Sequence, residues 1–313
     1  MRTLHIFTFL LFGLTVSAQQ QAIFSQFFHN KVLFNPGAVG SGRFPCAAAF
    51  HRQQWAGLEG APVTQALSVH SPAFAGRVGL GLTLLNDRIG FFHSTTANLA
   101  YAYRVAFGNG QLGIGVQAGY QHLRADWEKA QTITGRPDPV AGMENLRPQF
   151  NVGAGIHFEN ERFFVGASIP ALLERGLADG ALTQDYTGTM PHFFAMAGAW
   201  LDISPKLKMR PALAVRSVKH APPSVDAHLG FGFLEETKLW LGSTLRVSRP
   251  GQAINSDALV ATAQYQIVER LRAGLAYDIA LSSLRRENHG TFELMLEYCI
   301  AARASGVRHP RFF

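Results

Sequence analysis

Charge is scarce in this chain. Only 16% of its 313 residues are charged, against 47% hydrophobic, and that balance is too poor in charge for an ordinary soluble domain of this length. Long apolar runs are missing too. Beyond the leader described below, no segment approaches the roughly eighteen uninterrupted apolar residues that a membrane helix needs, which excludes a helical membrane protein. Cysteine is nearly absent: the two present, Cys46 and Cys299, make neither a disulfide scaffold nor a metal-ligand spacing. No HExxH, GxSxG or Walker loop occurs, so neither catalysis, nor a cofactor, nor a metal site is expected. The net charge is +7, but the basic residues are dispersed, and nucleic acid is not an expected partner. Those charges are expected at the rim and in the interior of the fold, meeting acidic lipid headgroups or an acidic protein.

What the chain has in abundance is alternation. RVGLGLTLLNDRIG (77 to 90) sets Val78, Leu80, Leu82 and Leu84 against Gly79, Gly81 and Thr83. A period of two is that of a β-strand, whose successive side chains leave on opposite faces. Glycine would serve a solvated face badly, since it costs backbone entropy and covers nothing. The pattern suits a bulky face toward lipid and a small face toward a narrow or occupied interior. QLGIGVQAGY (111 to 120), QFNVGAGIHF (149 to 158) and TFELMLEYCI (291 to 300) repeat it.

Extended along the chain, the pattern predicts fourteen strands: 46–55, 63–71, 77–86, 94–105, 111–122, 149–158, 163–169, 191–201, 207–216, 224–233, 239–247, 258–267, 271–279 and 291–300. Most approach the length that a tilted strand needs to cross hydrocarbon. Connections after even-numbered strands are short, such as FGNG, ENER and VER. Those after odd-numbered strands are longer, including DRIGFFHS, the run 123–148 and LSSLRRENHG. Aromatic residues such as Tyr101, Tyr103, Tyr120, Tyr265, Tyr277 and Tyr298 fall toward strand ends, where they suit a membrane interface. The expected fold is therefore all-β: a transmembrane outer-membrane barrel of about fourteen antiparallel strands, with long extracellular loops, short periplasmic turns and both termini periplasmic.

Several positions carry more specific expectations. Residues 1–18 have a basic start, an apolar run and a small-residue exit, as a cleaved signal peptide does. Residues 19–44 are expected to form a periplasmic arm or plug packed by Phe24, Phe27, Phe28 and Phe34, residues 45–300 the barrel, and 301–313 a periplasmic tail. Pro211 cannot donate to a ladder, so it implies a bulge or a locally misassigned strand. His157 and His228 are expected as solvated lumen groups, and Glu293 and Glu297 as lumen charges paired with Arg272. Barrel closure makes the first and last strands neighbours. Parity, however, puts Cys46 outward with Phe50 and Cys299 inward, which argues against a disulfide unless a bulge intervenes.

The order FSQ, NP, RQQW, GAP, TQ, SVH and NDRIG, from AIFSQFFHNKVLFNPGAVGSG through HRQQWAGLEGAPVTQALSVHSP to GLGLTLLNDRIG, strongly resembles the PorP/SprF family. That family comprises outer-membrane proteins of the type IX secretion system and gliding machinery of Bacteroidota. The resemblance implies a noncatalytic component supporting export or surface attachment of cargo, with the secretion machinery, cargo proteins and outer-membrane lipid as partners. The competing expectation is a barrel transporting small or hydrophobic solutes. Carried residue by residue, the motifs nominate Phe24, Gln26, Asn35, Pro36, Gly37, Trp55, Gly60, Pro62, Gln65, His70, Asn86, Asp87 and Gly90 for structural bracing or partner contact. Asn35-Pro36-Gly37 and Gly60-Ala61-Pro62 are turn chemistry, and Asn86 to Gly90 are expected at the extracellular mouth.

Overall fold

The computed structural model describes residues 23–42, 44–126, 148–173, 175–176, 187–218, 221–233, 238–248 and 255–300. The predicted leader, the tail 301–313 and most of the central loop lie outside the described residues. Seven strands build the first half: β1 (Cys46–Gln53), β2 (Val63–Ala73), β3 (Val78–Ile89), β4 (Phe92–Phe107), β5 (Gly110–Ala125), β6 (Gln149–Glu159) and β7 (Phe163–Ile169). A two-stranded ribbon, β8 (Arg175–Gly176) with β9 (Thr187–Thr189), stands apart from the main sheet. The second half comprises β10 (His192–Ala199) with its continuation β11 (Leu201–Ser204), β12 (Leu207–Val218), β13 (Ser224–Phe233), β14 (Leu239–Ser248), β15 (Asn255–Val268), β16 (Leu271–Ala280) and β17 (Thr291–Cys299).

Each barrel strand pairs antiparallel with its sequence neighbour in the sheet, and β1 pairs with β17, closing a barrel of fourteen strands in which β11 prolongs β10. The outward face is apolar: Leu80, Leu82 and Leu84 are 48%, 37% and 40% exposed, and Leu99, Tyr101, Tyr103, Ile114 and Val116 join them. Along β4 this band runs from Ala97 to Phe107, about 25 Å at the usual strand rise and tilt, which is the height of an outer-membrane apolar belt. Tyr120, Phe150, Tyr277 and Phe292 edge it at one end, and Tyr103, Phe107, Tyr265 and Tyr298 at the other.

Four features depart from the sequence reading. The third connection is a two-residue turn, Gly90-Phe91, because β3 and β4 pair out to Ile89 and Phe92, so DRIGFFHS is hairpin and not loop. The eighth strand breaks at Trp200. That break explains Pro211 without a bulge: β12 stays in continuous register with β13 from Lys208 to Arg216, while the proline lies beside the gap between β10 and β11, where the missing N–H leaves no ladder bond unmade. Finally, Cys46 lies directly opposite Cys299 and the two are disulfide-bonded. Residues directly opposed across a strand pair share a face, so the parity assigned to β1 was wrong. Phe50 points inward, 4% exposed, with Ala48 and Arg52 beside it on the same face.

The barrel's hydrophobic core is its own N-terminal segment. Phe24, Phe27, Phe28 and Phe34 are buried inside the lumen against Phe50, Phe164, Phe194, Met196 and Met295 of the wall. The glycines of the inner face make room for it. A Cβ on Gly79 would stand 2.0 Å from the carbonyl oxygen of Val39, and one on Gly115 would stand 2.3 Å from the Pro36 carbonyl. Backbone against backbone is the closest packing available, and only glycine permits it.

Candidate functional site

The segment from Phe24 to Gly42 threads the lumen through two short 3-10 turns, Lys31–Leu33 and Pro36–Ala38. Its first contact is electrostatic. Glu293 accepts the Ser25 and Gln26 backbone N–H groups at 2.7 and 3.0 Å, and the Ser25 hydroxyl donates to Asp278 at 2.9 Å. Arg52 donates to Glu293 at 3.0 Å and to Asp278 at 2.6 Å. Arg246 bridges Asp226 and Asp278, both at 3.0 Å, and Arg216 reaches Asp226 at 3.0 Å. Three guanidinium groups thus face three carboxylates. Such a network suits a buried setting, where an unmatched charge is costly.

A second layer surrounds His29. Its ring lies 2.5 Å from Gln264 and 3.2 Å from both Arg210 and Arg272. Arg210 is held between the faces of Phe28 and Trp240, at 4.1 and 4.5 Å from the ring centroids, a cation–π sandwich. His228 stacks on Phe28 at 4.1 Å, and His157 bonds Glu159 at 2.9 Å. Both histidines are buried against the plug and are not solvated lumen groups, since the plug occupies the space water would fill. Arg272 does pair with Glu297, at 3.5 Å, but Glu293 belongs to Arg52. Lys31 forms an ion pair with Glu159 and lies over the Phe164 ring at 4.5 Å.

The third layer is the turn. Asn35 caps it, accepting from the Gly37 N–H at 2.8 Å and donating to the Ile156 carbonyl at 2.8 Å. Ser168 donates to the Phe34 carbonyl at 2.8 Å. Asn35 and Gly37 therefore moor the segment to the wall of β5, β6 and β7, as turn chemistry at Asn-Pro-Gly requires.

The motif residues thus fall into two groups. Phe24, Gln26, Asn35, Pro36 and Gly37 belong to the plug, and His70, on the inner face of β2, lies against Gly81 and the end of the plug at Gly42. Trp55, Gly60, Pro62, Gln65, Asn86, Asp87 and Gly90 gather at the end of the barrel that carries the longer loops. There the Gly90 N–H donates to Gly60 at 2.8 Å, and Gln54 N–H to Pro62 at 2.9 Å. Thr64 donates to Asp87 at 2.5 Å, and Asn86 accepts from Thr95 at 3.2 Å. Trp55, with φ of 47°, donates its N–H to Thr291, while Ala56 exchanges backbone bonds with Gly290 and His289. Gln65 faces outward, in register with Asn86.

Sequence reasoning passed over the residues that hold the plug: Arg52, Asp226, Arg246, Asp278, Arg210 and Lys31. Their signal was present, because charge at an inward position is conspicuous in a charge-poor chain. The sequence reading counted a complete GxGxxG as absent, yet GNGQLG (108 to 113) is one. It joins β4 to β5, however, and offers no helix N-terminus to a phosphate. Among the described residues no cluster of three His, Cys, Asp or Glu side chains is arranged to hold a metal ion. Glu293, engaged by Arg52 and two backbone N–H groups, is an anchor and not a free acid or base.

The family model described as type IX secretion system membrane protein PorP/SprF matches residues 16–298. No curated protein sequence matches the chain. Among solved structures, the CymD monoaromatic hydrocarbon channel is similar at a TM-score of 0.52 and 11% identity, over 88% of this chain and 93% of that one. The toluene transporter TbuX of Ralstonia pickettii gives 0.49 at 10% identity, over 87% and 93%. Omp33 of Acinetobacter baumannii gives 0.45 at 10% identity, over 82% and 98%. At such identities the likeness concerns the barrel fold alone.

Proposed function

Because the chain belongs to the PorP/SprF family of type IX secretion system membrane proteins, we propose that it is a noncatalytic outer-membrane component of that system, supporting export or surface attachment of cargo proteins. In this reading the leader directs export, and the short turns and both termini face the periplasm, where they meet the secretion machinery. The braced rim around Trp55, Gly60, Asn86 and Gly90 faces outward, toward cargo.

The observation that carries the proposal beyond family membership is the occupied lumen. Inward wall residues that a solute channel would present to water, such as Thr244, Glu293, Asp226 and Gln264, are 0–2% exposed. They are spent on contacts with the plug and with one another. A barrel built around its own N-terminal segment suits a scaffold for protein contacts at its two ends.

Deleting the gene in its host and comparing secreted and surface proteins by quantitative proteomics tests this. Loss of one or two large exported proteins identifies a cargo-dedicated partner, and loss of many identifies a core component. An unchanged profile overturns the secretion role. The competing function, passage of small or hydrophobic solutes, requires the plug to move, and steady conductance of the purified wild-type protein in planar bilayers would favour it.

A further inference from the structure

We infer that the outer face of β3, β4 and β5 carries a binding site for a phosphorylated lipid headgroup of the surrounding leaflet. On this face the topmost apolar row runs across Leu67, Leu84, Ala97, Tyr120 and Phe150, each opposite the next. One step further out the row is His51, Gln65, Asn86, Thr95 and His122. One step beyond that, Arg88, His93 and Arg124 stand directly opposed on three adjacent strands.

Strand rise and barrel tilt put these rows about 5 and 10 Å above the hydrocarbon boundary, which is the depth of the headgroup layer. Both arginines are exposed and His93 is half-buried. Among the described residues neither arginine is held in an ion pair. Asp87 points to the other face of β3, where it accepts from Thr64. Asp126, the carboxylate nearest along β5, lies opposite Phe91, a row farther from the membrane.

Two guanidinium forks about 10 Å apart, two strand spacings, suit phosphate oxygens. The polar row beneath supplies neutral hydrogen-bonding groups, and the apolar row beneath that supplies a bed for acyl chains. Charge, polarity and hydrophobicity are thus stacked in the order of an anionic amphiphile. The site rests on the orientation proposed above, which puts this end in the outer leaflet and makes the ligand a phosphorylated glycolipid.

The test is a titration of the detergent-purified barrel with phosphorylated lipid A, read as a shift in thermal unfolding and as bound lipid by native mass spectrometry. R88Q/R124Q should weaken binding about thirtyfold, with the unliganded barrel as stable as wild type. R162Q/R270Q, exposed arginines at the opposite end, should bind as wild type, and dephosphorylated lipid A should bind wild type weakly. Equal binding by R88Q/R124Q and wild type overturns the site, as does an equal shift with inorganic phosphate alone, which would mark a free-anion site. Orientation is read separately, by labelling an E59C variant with an impermeant maleimide on intact cells. Labelled cells with no arginine dependence refute the site alone, whereas unlabelled cells refute the leaflet assignment and the orientation.

Discussion

Replacing Arg52 with glutamine is the sharpest test of how the lumen is held. Arg52, Arg216 and Arg246 balance Asp226, Asp278 and Glu293. The variant leaves two cations to three anions, in a site where Asp226 and Glu293 are each 1% exposed. Removing one member of a buried pair costs about 3–5 kcal/mol, because the remaining charge has no water to turn to. The strand ladders of the wall are untouched, so that cost falls on the contacts that seat Ser25 and Gln26. The population with the plug displaced should then rise roughly a hundredfold to a few thousandfold. Lys31 reports it. At 8% exposure it is closed to trypsin while the plug is seated, and cleavage tracks the open population when opening is fast relative to cutting. R52Q should be cut after Lys31 at least about a hundredfold faster than wild type, with the heat-modifiable gel mobility of the barrel preserved. R52Q/E293Q restores two cations to two anions and should recover part of the loss. Wild-type cleavage rates in R52Q, or strict additivity in the double variant, would refute the argument from charge balance.

Further outcomes follow from the same packing. Gly79→Ala puts a Cβ 2.0 Å from the Val39 carbonyl oxygen; the plug should fail to seat, raising conductance in planar bilayers above that of the wild type, and a G79A channel no more conductive than wild type would count against it. Cys46→Ser with Cys299→Ser removes a bridge between residues 253 apart in sequence, so stability should fall by about 5.5 kcal/mol if chain entropy dominates. A reductant-dependent shift of wild type on a nonreducing gel is the direct check of the bond. Phe28→Ala strips one face from the Arg210 sandwich and the stack on His228, and should cost about 3–5 kcal/mol in chemical denaturation; a loss below 1 kcal/mol would show that the aromatic layer is not packed as described.

The wall was legible, and the contacts that grip the segment inside it were not. Alternation along 77–90, 111–120 and 291–300 gave both the strands and their lipid faces, because a dyad pattern is local and lipid imposes it directly. Phe50 shows where that logic ends. An aromatic beside Ala47 and Ala49 looks lipid-facing, yet it packs at 5.3 Å on Phe24, twenty-six residues earlier. Nothing within the strand encodes the arrival of a plug, and the misassigned parity hid the disulfide with it. The turn at Gly90-Phe91 failed for a related reason, since polar residues in NDR and HS resemble loop when the strands stand clear of the membrane. The anchoring residues of the plug were individually visible as inward charges, but their pairing spans strands far apart in sequence, from Arg52 to Asp226, Asp278 and Glu293.

The two groups of motif residues are not independent parts of the barrel. Arg52 and Glu293, which hold Ser25 and Gln26, are directly opposed across the seam of β1 and β17. Three residues after Arg52 the chain reaches Trp55, whose N–H is bound by Thr291, two residues before Glu293. The disulfide closes the far end of that same seam. Barrel closure, plug anchorage and loop bracing therefore share one strand pair. That economy gives a physical reason for motifs at 24–26 and at 52–62 to occur together in one chain: the rim cannot keep its backbone bonds to the last loop unless β1 and β17 hold register. The register at Arg52 and Glu293 is fixed in turn by the segment they grip.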